Sequence, residues 1–101
     1  MNLNHSETPP ELAAINQTLS ECLAQVEVDE SHLKIFIGQR AELVNKLLNT
    51  LNKPQRQQFA ELEAKINQGL IERISELRTS AKQALSNVAK SSKAIKQYQQ
   101  V

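Results

Sequence analysis

His5, Cys22, His32 and the pair Glu61 and Glu63 are the side chains whose types could carry nucleophilic, acid–base or metal chemistry. Their spacing supports none of it. A thiol nucleophile needs a base within reach. No His or base stands at helical spacing from Cys22, which lies on an apolar seam and reads as a small core residue. A zinc site needs several His or Cys ligands close together. His32 has no second one and reads as a solvated residue at a helix start, while His5 belongs to a polar leading segment. Glu61 and Glu63 fall on different faces of a helix and cannot act as a carboxylate pair. Gly38-Gln39-Arg40 is no phosphate loop, because the glycine sits within a helical pattern and not after a strand. The expectation is a protein that is not an enzyme and has no cofactor and no metal site.

The elements that would position any site are helical. The 101 residues are enough for one small domain, with 40% hydrophobic, 3% aromatic and 23% charged residues and no Trp. The core must therefore be aliphatic, and the charge content is that of a folded domain. The net charge of +1 draws the chain to neither nucleic acid nor membrane. Its distribution is uneven: residues 1–33 hold six acids and no Lys or Arg, and residues 78–101 hold five bases and no acid. The two ends can attract each other, or the basic end can meet an acidic partner. One cysteine excludes an internal disulfide. No apolar run reaches the roughly 18–20 residues of a membrane span. The start shows no basic-then-apolar leader, so a cytoplasmic protein is expected.

Residues 1–8 read as a disordered tail and residues 9–101 as a single helical-bundle domain. Thr8-Pro9-Pro10-Glu11 carries a helix start: Thr8 as cap, Pro9 at the first helical position, Glu11 completing a capping box. Helix 1, near 9–28, places Leu12, Ile15, Leu19, Cys22 and Val26 on a narrow seam. Asp29 reads as the N-cap of helix 2, and Val26 and Val28 weaken the helix before it. Helix 2, near 30–51, has a wide stripe of Leu33, Phe36, Ile37, Leu43, Val44, Leu47, Leu48 and Leu51. Asn52-Lys53-Pro54 ends it, and Pro54 opens the third helix.

From residue 54 to residue 97 the apolar stripe runs without a break: Phe59, Leu62, Ile66, Leu70, Ile74, Leu77, Ala81, Leu85, Val88, Ser92, Ile95. Read as one helix, this spans roughly 65 Å at about 1.5 Å per residue. The fold expected is all-α, an elongated antiparallel bundle of three helices with a long third helix. A tight turn at 52–54 would face Leu47 with Phe59, Val44 with Leu62, Ile37 with Leu70 and Leu33 with Ile74. Gly38 and Gly69 then fall at one level, a point of close backbone approach or a coincidence. Helix 1 either folds back at Asp29 beside residues 58–77, or continues in line and brings Leu12 to Ile95, Leu19 to Val88 and Cys22 to Ala84. The charge distribution favours the second, the Asp29 cap and the wide stripe the first.

Two segments resemble a known family. Ile37-Gly38-Gln39-Arg40-Ala41-Glu42-Leu43-Val44-Asn45-Lys46-Leu47 is similar to the apolar-x-x-Arg-x-x-Leu-Ile-x-x-Leu pattern in helix 2 of the FliT family of flagellar export chaperones. Val88-Ala89-Lys90-Ser91-Ser92-Lys93-Ala94-Ile95-Lys96-Gln97-Tyr98 resembles that family's closing segment of small and basic residues before a Tyr. The family's frequent acidic-Trp turn before helix 2 is replaced here by Val28-Asp29-Glu30-Ser31. The resemblance implies a cytoplasmic chaperone that binds the filament-cap protein before type III export, with some members also binding flagellar regulators or the export apparatus. Arg40 is read either as a surface charge snorkelling over its own stem or as a residue specific to the family.

The partner-binding face expected from this reading is Leu85, Val88, Lys93, Ile95, Lys96 and Tyr98, on the half of helix 3 that helix 2 would not reach. An apolar groove there would take an amphipathic helix of the protein client. The competing reading is a structural coiled-coil subunit of a larger assembly, satisfied by its own copies; a homodimer is left open. Nucleic acid is not expected as a partner, because the basic end lacks stacking aromatics and a motif.

Overall fold

Asp29 caps helix 2 as the sequence assigns it, and Asn52, read only as ending that helix, caps the helix that follows. The Asp29 carboxylate accepts from the His32 backbone N–H at 3.2 Å, and Asn52 Oδ1 accepts from the Gln55 N–H at 3.0 Å. Each satisfies an amide that the first turn of a helix leaves without a partner. A computed structural model describes residues 1–77 and 82–99, and the side chains of all but 82–87 among them. It contains α1 (Pro10–Leu23), α2 (Glu30–Thr50), α3 (Lys53–Ser75) and α4 (Lys82–Gln99), with no strand among the described residues. No described helix is long and apolar enough to cross a membrane.

The all-helical reading holds, but four helices replace the expected three. The long third helix is broken. After Ser75 the chain closes with Glu76 N–H donating to the Arg73 carbonyl and Leu77 N–H to the Ile74 carbonyl. No Gly or Pro marks the place. α4 then packs back along α3, with Val88 among Leu70 and Ile74, and Ile95 among Phe59 and Ala60. The reason is burial. A single helix would leave half its stripe in water, whereas folding back covers both halves, and each covered side chain contributes roughly 1.5–3 kcal/mol. The longest dimension is accordingly 40 Å, not the roughly 65 Å of one unbroken helix.

α1 is shorter than expected, ending at Leu23, with the Ala24 N–H donating to the Ser20 and Glu21 carbonyls. Val26, assigned to the seam, is fully exposed. Thr8 does not cap α1: its Oγ1 accepts from the His5 N–H at 2.8 Å, closing a turn, and Pro9 is the capping residue before Pro10. α1 folds back on α2, bringing Leu12 to Val44 and Leu48, and Leu19 to Leu33 and Ile37. Leu12 and Ile95 still share one cluster and Leu19 and Val88 the other, because α4 returns beneath them.

The helices pack chiefly α1 on α2, α2 on α4 and α4 on α3; α2 and α3, joined by the tight turn, touch less. The α2–α3 register is partly as expected, since Ile37 and Leu70 share a cluster, as do Leu33 and Ile74. Leu62, expected opposite Val44, is only half-buried, and Glu63 lies inside instead. Gly38 and Gly69 are not a backbone contact. Nothing lies within 4 Å of a Cβ built at Gly38, and at Gly69 the neighbour is the Met1 side chain.

No helix covers the seam between α1 and α3. Residues 1–9, read from sequence as a tail and a helix start, lie there. Leu3 is buried among Leu19, Cys22, Leu23, Leu70 and Ile74. A lone leucine among polar residues has no periodicity, so nothing in the sequence announced its burial.

Candidate functional site

Each helix interrupts its apolar series with a polar residue at one level. In α1 the series is Leu12, Asn16, Leu19, Leu23; in α2 it is Leu33, Ile37, Arg40, Val44, Leu48. In α3 it is Phe59, Glu63, Asn67, Leu70, Ile74. In α4, Ser91 and Ser92 stand between Val88 and Ile95. These residues meet between two apolar clusters and form one network.

Arg40 is its hub and is 2% exposed. Its Nε donates to Asn16 Oδ1 at 3.0 Å and its Nη1 to Asn67 Oδ1 at 2.9 Å. Its Nη2 pairs with Glu63 Oε2. The other Glu63 oxygen, Oε1, lies 2.9 Å from His5 Nε2. Asn67 Nδ2 donates to the hydroxyls of Ser91 and Ser92 at 3.3 and 3.2 Å. Asn16 Nδ2 donates to the Leu3 carbonyl and to Asn4 Oδ1. Among the described residues no buried side-chain nitrogen or oxygen lacks a partner. The guanidinium fork thus ties all four helices and the leading segment to one height, and a slip of any helix by a turn would strand a buried charge.

This network is not an expected site, and its geometry is that of a structural hub. The cavity beside Arg40 is about 10 Å³, near the minimum for a single water. The snorkelling reading of Arg40 does not hold, because the side chain is buried. Its place in the α2 series, with Asn16 and Glu63 in theirs, was the available signal. Cys22 is buried as expected, and burial with the nearby Asp29 carboxylate pushes its thiol pKa up, which disfavours the reactive thiolate. His32 is exposed, paired with Asp29 and stacked on Phe36. Among the described residues no group of three or more His, Cys, Asp or Glu is placed to hold a metal ion.

Two residues of the expected partner-binding face, Val88 and Ile95, are interior: each is 1% exposed and belongs to one of the two core clusters. The overhang that was to expose them does not exist, because α4 folds onto α3. The side chain of Leu85 lies outside the described residues. Tyr98 is half-buried; its hydroxyl is 2.8 Å from Asn49 Oδ1, and the Arg56 guanidinium lies over its ring at 5.7 Å. Lys93 and Lys96 are exposed.

A surface groove of about 390 Å³ runs between α2 and α4. Its lining comes from Gly38, Ala41, Glu42, Val44, Asn45 and Leu48 on α2 and from Lys90, Ser91, Ala94 and Ile95 on α4. A second, smaller pocket of about 180 Å³ lies between Leu47, Leu51, Phe59 and the Glu7–Pro9 stretch. No family profile, curated protein or solved structure matches this chain.

Proposed function

We propose that this chain is a FliT-like export chaperone, which takes an amphipathic helix of its client, the filament-cap protein, into the α2/α4 groove and holds it unassembled in the cytoplasm. The observation that supports this reading is a coincidence of sequence and place. The two segments that carry the resemblance, residues 37–47 and 88–98, lie on different helices, yet together they supply every lining residue of the groove except Leu48. The groove wall is made of small residues, Gly38, Ala41 and Ala94, which let another helix approach closely. Ile95 and Val44, each 1% exposed, close the floor beneath Ala41 and Ala94, and Glu42 and Lys90 supply charge to orient the client helix.

The test is calorimetric titration of the full chain with the purified filament-cap protein. One-to-one binding is expected, and Gly38→Trp, which fills the groove from an exposed position, is expected to weaken it at least tenfold without lowering Tm. Unchanged affinity in that variant would remove the groove from the reading. Light scattering tests the competing reading, since a structural subunit assembles into large species and a chaperone stays a monomer or dimer.

A further inference from the structure

We propose that Gly38 is a specificity-determining residue of the α2/α4 groove. It opens a socket for one bulky apolar side chain, carried by a helix of another protein that bears an acid on one edge and a base on the other. This rests on the reading of that groove as a helix-binding site.

Nothing within the chain explains Gly38. It lies in the interior of α2, exposed, and no positive φ occurs among the described residues. A glycine inside a helix is less stable than alanine there, and its use is a special backbone conformation or a close approach to the bare backbone. The conformation at Gly38 is ordinary helix, and no atom of the chain lies within 4 Å of a Cβ built on it. The close approach is left to a body outside the chain.

The spacing makes that body a helix. Gly38, Ala41, Glu42 and Asn45 all line the groove and stand at i, i+3, i+4 and i+7 on α2. Four residues so spaced form the hole into which a side chain of a facing helix inserts. Two of its corners, Gly38 and Ala41, are nearly bare, which widens the hole for a large apolar side chain. Val88 shares a cluster with Ile37, and Ile95 with Val44, so α4 runs alongside α2 in the same direction. Lys90, Ser91 and Ala94 therefore form the opposite wall at the level of the hole.

Charge and the chain's own surface decide whose helix it is. Glu42 and Lys90 are exposed on opposite walls, so the helix between them carries a base toward α2 and an acid toward α4. A second copy has no ridge to offer. Among the described residues the exposed large apolar side chains are Met1, Val26 and Ile35, and only Ile35 lies on a helix. No described helix thus presents two such side chains at helical spacing, and the occupant comes from a different protein.

The test is selection of a phage-displayed library of helical peptides, randomised along one face and both edges, on the full chain and on Gly38→Leu. The wild type is expected to enrich Leu, Met or Phe at one position of the face, with an acid on one edge and a base on the other. Gly38→Leu is expected to enrich Ala or Gly at that position. Circular dichroism is expected to show that both Gly38→Leu and Gly38→Ala keep the wild-type helix content. In anisotropy titrations with the peptide selected on the wild type, Gly38→Ala is expected to bind at least threefold more weakly although its Tm rises, and Gly38→Leu at least thirtyfold more weakly. Cutting the bulky side chain of that peptide to Ala is expected to restore most of its binding to Gly38→Leu. The same consensus from both proteins, or equal affinity across the three, overturns the socket, and so does a library that enriches nothing. A wild-type dimer that Gly38→Leu breaks would assign the groove to a second copy and overturn the partner stated here. Selected helices that depend on Gly38, beside a filament-cap protein that does not bind, would support the socket and remove only the client named above.

Discussion

Arg40 Nη2 on α2 meets Glu63 Oε2 on α3 with both side chains inside the core, 2% and 0% exposed. Removing either member leaves the other as an uncompensated buried charge, a change that costs about 3–5 kcal/mol. Arg40→Ala and Glu63→Ala are each expected to lose that much in urea unfolding. The double change Arg40→Met with Glu63→Leu removes both charges and keeps the volume, so it is expected to regain part of the loss, the remainder reflecting Asn16 and Asn67, which lose the Arg40 donors. Additive losses would mean the two side chains do not act as a pair.

Asp29 supplies a pH dependence at the start of α2. The His32 backbone N–H, with smaller help from the His32 ring, holds its carboxyl below the ordinary aspartate value. A carboxyl whose folded pKa is depressed adds stability above its unfolded value and loses it as pH falls through the folded one. Asp29→Ala is therefore expected to lower Tm at neutral pH, with the difference shrinking and vanishing in strongly acid solution. A difference in Tm that stays constant across that range would show that the carboxylate charge has no part in the cap.

Much of this fold is legible locally. Asp29 and Pro54 mark their helix starts because a helix start is a matter of a few neighbouring atoms. The turn after Ser75 is not legible, because the apolar stripe keeps its phase on both sides and no residue breaks the helix. Only the gain from covering the second half of the stripe selects it. The central layer is hidden for a different reason. Following apolar residues alone picks Leu62 and Ile66 for the α3 stripe, whereas the inward positions are Glu63 and Asn67, made tolerable by Arg40. The α2/α4 groove could not be read at all before α4 was known to lie beside α2, though both segments that build it had been singled out.

Val88 and Ile95 separate the structure from the three-helix reading most sharply. On an exposed overhang, Val88→Asp with Ile95→Asp would leave the fold intact. In the core, each places an unpaired charge among apolar side chains at a cost of several kcal/mol. Circular dichroism is expected to show loss of cooperative melting in the double variant. Leu62→Asp, at a half-buried position, is expected to be much milder. A double variant that melts like the wild type would return α4 to solution and undo the four-helix packing.

Gly38 offers a stabilising change at the α2/α4 groove. It lies in the interior of α2, exposed, with no positive φ among the described residues and nothing within 4 Å of a built Cβ. A helical glycine costs about 1 kcal/mol relative to alanine, mostly through the freedom of the unfolded chain. With space open and helical geometry already in place, Gly38→Ala is expected to raise stability by roughly 0.5–1 kcal/mol in urea unfolding. Gly69 is the control: its added Cβ would meet Met1 Cε at 3.2 Å, so the same change must shift that side chain in the α1/α3 seam. Gly69→Ala is thus expected to gain less than Gly38→Ala. Equal gains would mean that Met1 does not rest on Gly69, and a loss at Gly38 would mean that the groove wall is tighter than its open volume implies.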